Sequence, residues 1–181
     1  MKLNKEYFKQ DALFLAQDLI GKLLCRNING EIIKLRITET ECYNGKNDSA
    51  SHAYRKKTPR NKIMFKQGGY LYIYLCYGLH YLLNIVTGER NSPQGVLIRG
   101  VENFKGPGVL TKALKIDKNF YGVNLATSKE IWLEDDGFKY DFKTAKRIGI
   151  NYAKEEDREK LWRFIAITKN NPKNKKINNI K

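Results

Sequence analysis

Glu39 and Glu41 stand two residues apart at the end of a run that begins aliphatic, with Leu35 and Ile37 before them and Tyr43 after. Alternate residues of an extended chain share a face, so residues 31–43 are predicted to form a strand with Leu35, Ile37, Glu39, Glu41 and Tyr43 on one side and about 7 Å between the two carboxylates. A face that starts apolar and ends acidic describes a strand leaving the core to carry its acids into a cleft; an ordinary surface strand sets its charges opposite its aliphatics. A half-buried carboxylate there binds its proton more tightly, which suits general-base work. The stretch ETECYNGKNDSASHAYRKKTPRN, residues 39–61, adds Tyr43, Asp48, His52 and the basic trio Arg55, Lys56 and Lys57, with few aliphatic residues among them. That composition belongs to a cleft.

Lys and Arg total 34 against 19 Asp and Glu, a formal net charge of +15. An excess of this size points to a polyanionic partner, with nucleic acid ahead of an anionic membrane surface. Cys25, Cys42 and Cys76 are odd in number and include no CxxC pair, which suggests neither a disulfide framework nor a zinc site and fits a reducing compartment. The most apolar early run, ALFLAQDLIGKLL, is broken by Gln17, Asp18, Gly21 and Lys22. A membrane span is excluded on that reading and a signal peptide is not expected, leaving a cytoplasmic protein, nucleoid-associated where the polyanionic partner is DNA.

The chain has 181 residues, of which 41% are hydrophobic, enough for one core. Residues 1–168 are assigned to one domain and residues 169–181, rich in Lys and Asn without apolar periodicity, to a basic disordered tail. Asp11 is a candidate N-cap for a helix over residues 12–24. Five of the residues from 70 to 81 are tyrosines, and Gly78 interrupts the run YLYIYLCYGLHYLLNIV. The spacing predicts a β-hairpin bending at residues 77–80, with Tyr77 at the bend and Tyr70, Tyr72 and Tyr81 as strand-packing residues. A strand ending near Arg99, a Gly-Pro-Gly loop opening a helix over 109–114, strands at 131–133 and 164–167, and a charged helix at 154–161 complete the pattern. The fold class is α+β: a single domain with a curved, mostly antiparallel sheet, surrounding helices and a protruding hairpin.

An enzyme that acts on one base of a duplex gives these parts a common purpose. It must extrude a nucleotide, fill the gap, grip the base between rings and present a catalytic group to the sugar. The blocks ETECYNGKNDSASHAYRKKTPRNKIMF, GGYLYIYLCYGLHYLLNIV, GVLIRGVE, GPGVLTKAL and RIGI, in this order, resemble the alkyladenine (3-methyladenine) DNA glycosylase family of the mammalian type, over residues 13–167.

The resemblance implies a monofunctional glycosylase that starts base excision repair without metal or organic cofactor, as a monomer acting on double-stranded DNA containing damaged purines: 3-methyladenine, 7-methylguanine, hypoxanthine or ethenoadenine. It implies Glu41 as the base that activates water, Arg99 as the arginine orienting base and water, and Ile148 as a backbone carbonyl holding that water. Tyr43, His52 and Tyr74 are implied as aromatic walls, and Asn84 as the residue that crowds the amino group of normal guanine. Tyr77 is implied as the side chain inserted into the minor groove, flanked by Leu79 and His80, the latter standing where the mammalian protein has an aromatic. Arg55, Lys56 and Lys57 are implied as phosphate contacts. Glu39 receives no role. Three other readings stay open on the residues alone: a noncatalytic binder stacking bases on its tyrosines, a nuclease holding Mg²⁺ with Glu39, Glu41 and Asp48, and a lyase using a lysine Schiff base.

Overall fold

The computed structural model describes residues 1–168, and the predicted tail of residues 169–181 lies outside them. Helix α1 (Ala12–Asp18) begins where Asp11 accepts the Leu13 N–H at 2.7 Å. It ends well short of the predicted residue 24. Gly21 adopts φ +94°, and a Cβ there would lie 3.2 Å from the backbone of Phe138 and Tyr140, so the chain turns sharply into β1 (Leu23–Ile28). The apolar residues that seemed to extend the helix belong instead to a turn and to β1.

Asn29 and Gly30, both at positive φ, form a two-residue hairpin to β2 (Glu31–Tyr43), with Ile28 paired to Glu31. Asn-Gly suits this turn because both of its positions require left-handed backbone. β2 is the spine of the sheet. Its first half pairs with β1, and its second half pairs with β5 (Gln94–Val101) on one side and β9 (Arg163–Ala166) on the other. The hairpin β3 (Leu71–Cys76) and β4 (His80–Thr87) extends the sheet beyond β5, β7 (Ile131–Glu134) borders β1, β6 (Phe104–Lys105) pairs with β5, and β8 (Phe142–Ala145) pairs with β9. All of these pairings are antiparallel, as predicted. Helix α2 (Pro107–Ala113) packs on β4 and β5, and the short α3 (Glu155–Arg158) precedes β9.

Alternation along four neighbouring strands separates core from cleft. Leu71 and Ile73 of β3, Leu83 and Ile85 of β4, Val96 and Ile98 of β5, and Cys42 of β2 join the core with Leu15 of α1 and Leu110 and Leu114. Their neighbours Tyr72, Tyr74, Asn84, Leu97, Arg99 and Tyr43 line a cavity on the other side. Burial of Ile98 therefore fixes the direction of Arg99.

The predicted single face of β2 does not survive. Pairing between β2 and β5 is irregular from Ile37 to Thr40, and side-chain alternation inverts there. Leu35 and Ile37 point into the core, and so do Thr40, whose hydroxyl donates to the Ala16 carbonyl, and Cys42. Glu39 and Glu41 consequently face away from the core side that Leu35 and Ile37 occupy. A bulge of this kind re-aims side chains at a site.

Candidate active site

Glu41 is fully buried, and the three residues in contact with its carboxylate, Tyr43, Arg99 and Ile148, line a cavity. Oε2 accepts from the Tyr43 hydroxyl at 2.8 Å, Oε1 accepts from the Ile148 backbone N–H at 2.8 Å, and Arg99 Nε lies 3.5 Å from Oε1. Burial raises the Glu41 pKa, and the opposing pull of Arg99, the Ile148 N–H, Tyr43 and Arg147 does not cancel it. Oriented and incompletely neutralised, such a carboxylate can take a proton from water. Tyr43 is pushed far up by burial and by Glu41, so its hydroxyl stays a donor.

The cavity beside Glu41 measures about 1480 Å³ and is lined by Tyr43, His52, Tyr72, Tyr74, Asn84, Arg99 and Ile148 among others. That exceeds the roughly 300–1,000 Å³ of a small-molecule pocket, so it is a groove with a ring-lined end. There the centroids of Tyr72 and Tyr74 are 5.4 Å apart, and those of His52 and Tyr74 are 4.6 Å apart. Tyr72 Oη and His52 Nδ1 share a hydrogen bond of 2.8 Å. Although the His52 ring is open to the groove, the protein packed around it and the charge of Arg60 lower its pKa to about 4. At neutral pH the ring is uncharged. Asn84 is held by donating to the Tyr72 and Leu82 carbonyls at 3.2 and 3.4 Å.

At the other end of the groove, the β3–β4 hairpin turns through Tyr77 and Gly78 at φ +49° and +70°. Tyr77 is 90% exposed and Leu79 76%. His80 lies against Gly108, where a Cβ would come within 2.7 Å of the imidazole. Arg55, Lys56 and Lys57 are exposed and lie outside the groove lining, with Lys57 over the Phe65 ring. Asn61 ties their loop to the ring wall by donating to the carbonyls of His52 and Lys56 at 2.7 and 3.0 Å.

The model of the methylpurine-DNA glycosylase family matches the chain over residues 6–106 and 102–171. The chain belongs to this family. It is 45% identical over 188 residues to a protein of Natranaerobius thermophilus, covering 91% of this chain and 94% of that one. It is 46% identical over 176 residues to one from Borreliella burgdorferi, covering 90% and 94%, and 42% identical over 195 residues to one from Clostridium perfringens, covering 91% and 95%. All three relatives are named for 3-methyladenine DNA glycosylase activity. The protein is thus a DNA glycosylase, a hydrolase that acts on DNA.

In this glycosylase Arg99 and Ile148 approach Glu41 through contacts that the resemblance did not specify. Arg99 Nε donates to Glu39 at 3.0 Å and lies 3.5 Å from Glu41. For Ile148 the contact that the structure shows is its N–H on Glu41, whereas the resemblance invoked its carbonyl.

Four residues near the site were missed. Arg147 forms a buried two-armed ion pair with Asp48 at 2.5 and 2.8 Å, donates to the Cys42 carbonyl and lies 4.9 Å from the Tyr43 ring centre. It clamps residues 44–50 to the sheet and so fixes its neighbour Ile148 against Glu41. Arg163 donates to Glu39 at 3.1 Å. Tyr72, read as packing, is both buried and a wall of the groove, a duality that its place two residues before Tyr74 on one strand face signals. Arg60 lies 5.1 Å from the Tyr74 ring centre, and nothing in the sequence distinguishes it from other surface arginines. These pairings also undo the Mg²⁺ set: Asp48 is committed to Arg147 and Glu39 to Arg99 and Arg163, so the three acids do not converge as donors.

Proposed function

We propose that this DNA glycosylase extrudes an alkylated or deaminated purine, seats it among Tyr43, His52, Tyr72 and Tyr74, and hydrolyses its N-glycosidic bond with a water activated by Glu41. The observation that carries this reading is the buried Glu41, with its raised proton affinity, held by Tyr43 and Ile148, which line the aromatic groove. Water gives its proton to Glu41 as its oxygen bonds to C1′; the C1′–N bond breaks and its electron pair leaves with the base. A cationic purine such as 3-methyladenine departs neutral and needs no acid, whereas hypoxanthine needs more help to leave. Electron-rich rings favour a cationic base by about 0.5–2 kcal/mol, and an uncharged His52 adds no repulsion.

Tyr77 at the hairpin tip has the exposure required of a wedge that fills the vacated stack. Asn84, in the groove lining, selects among purine edges by crowding. Arg55, Lys56 and Lys57 serve as phosphate contacts.

The test uses duplexes carrying 3-methyladenine, 7-methylguanine, hypoxanthine or ethenoadenine, with chromatography of the released base. Glu41→Gln should slow release by about 10²- to 10⁴-fold, the usual worth of a general base. An unimpaired variant removes Glu41 from the mechanism.

A further inference from the structure

Glu39 has no part in the scheme above, yet two arginines converge on it. A single oxygen, Oε1, accepts from Arg99 Nε at 3.0 Å and from Arg163 Nη1 at 3.1 Å. The same Arg99 Nε lies 3.5 Å from Glu41 Oε1. One N–H carries one hydrogen, and at these distances it goes to Glu39; Glu41 feels the charge of Arg99 without its hydrogen bond. Arg163 is anchored in turn, since its Nε donates to the Lys146 carbonyl at 2.7 Å, two residues before the N–H that orients Glu41. Three strands converge here: Glu39 and Glu41 on β2, Arg99 on β5 and Arg163 on β9.

We propose that Glu39 is a positioning residue which, shared between Arg163 and Arg99, draws Arg99 away from Glu41, so that the water-activating carboxylate is oriented without being fully ion-paired. This inference rests on the reading of Glu41 as the base. With Glu39 uncharged, Arg99 turns to Glu41, and the paired carboxylate becomes a weaker base that stays ionised to lower pH. With Arg163 uncharged, Glu39 Oε1 has no second arginine to share it, so Arg99 is drawn more fully to Glu39 and pairs less with Glu41, the opposite outcome. The other groups facing Glu41 are Tyr43 from its own strand, Arg147 and Tyr152 from the segment carrying Ile148, and Tyr74 from β3. None of them is altered in either variant.

The experiment is the pH profile of kcat/KM for base release from a duplex bearing the lesion that the wild type releases fastest. Glu39→Gln should displace the acid limb downward by roughly one pH unit, with a lower plateau. Arg163→Gln should displace it upward, and Glu39→Asp, which keeps the charge, should lie between Glu39→Gln and wild type. A clasp that merely holds three strands together would lower the melting temperature of all the variants and leave every limb at the wild-type position, and that result overturns the proposal. If Glu39→Gln fails to fold, Arg163→Gln decides alone: an unmoved or downward limb overturns it. Failure of the glycosylase reading looks different, because then the wild type and Glu41→Gln release base equally.

Discussion

The Ile148 backbone N–H donates to Glu41 Oε1 at 2.8 Å across a sequence separation of 107 residues. Because the donor is main chain, no side-chain substitution at this position removes it except proline. Ile148→Pro should therefore reduce single-turnover base release by about 10- to 100-fold, the equivalent of losing a hydrogen bond to a charged group worth about 1.5–3 kcal/mol. Ile148→Ala, which keeps the N–H, should lose much less. Equal losses in the two variants would place the role in the side chain.

Burial makes Glu41 a costly residue as well as a useful one. Its pKa is raised in the folded protein, so its ionised form is disfavoured by folding. The stability that it contributes is present below the unfolded carboxylate value and is lost as pH rises through the folded one. Glu41→Gln should accordingly melt above wild type at pH 7.5 and gain less at pH 4.5, while releasing base far more slowly. Thermal melts at the two pH values check this; a variant that melts lower at pH 7.5 would show that the hydrogen bonds from Tyr43 and Ile148 outweigh the desolvation.

His52 has the opposite sign. Its folded pKa of about 4 lies below the ordinary histidine value, so the stability it contributes is full above about pH 6.5 and is lost as pH falls toward 4. Wild type should lose melting temperature over that window, and His52→Phe, which keeps a ring at the wall, should lose less. Base release should also show no limb near pH 6.5 from this residue. A wild-type limb there that vanishes in His52→Phe would contradict it.

Much of this architecture was legible because local chemistry was unambiguous. The bounds of β2 followed from period-two alternation, and the β3–β4 bend followed from Gly78 within a tyrosine-rich run. What failed were features set by distant partners. The irregular pairing of Ile37 to Thr40 with β5 inverts the face of β2, and no residue type within β2 announces it. α1 was overextended because a turn and a buried strand imitated helical spacing, although Asn29-Gly30 marked the hairpin that follows. Glu41, Tyr43 and Asn84 could be singled out through the resemblance, which several blocks in one order carry. Arg147 and Arg163 could not, since their importance lies in reaching Asp48 and Glu39 from about a hundred residues away.

Tyr77 combines exposure with strain, and that combination makes a further prediction. A residue with a side chain at φ +49° sits in left-handed backbone that disfavours it by about 1–2 kcal/mol, and at 90% exposure it gains little from packing in return. The proposed wedge role accounts for a large ring at that position. Asparagine tolerates the same backbone, so Tyr77→Asn should fold at least as stably as wild type, gaining up to about 1 kcal/mol. The same variant should release damaged bases from duplex DNA at least about tenfold more slowly, since unstacking costs a few kcal/mol and the wedge offsets part of it. On single-stranded DNA carrying the same lesion, where no stack has to be broken, its deficit should shrink. Equal deficits on both substrates would show that Tyr77 serves the chemistry of the site and not the opening of the duplex.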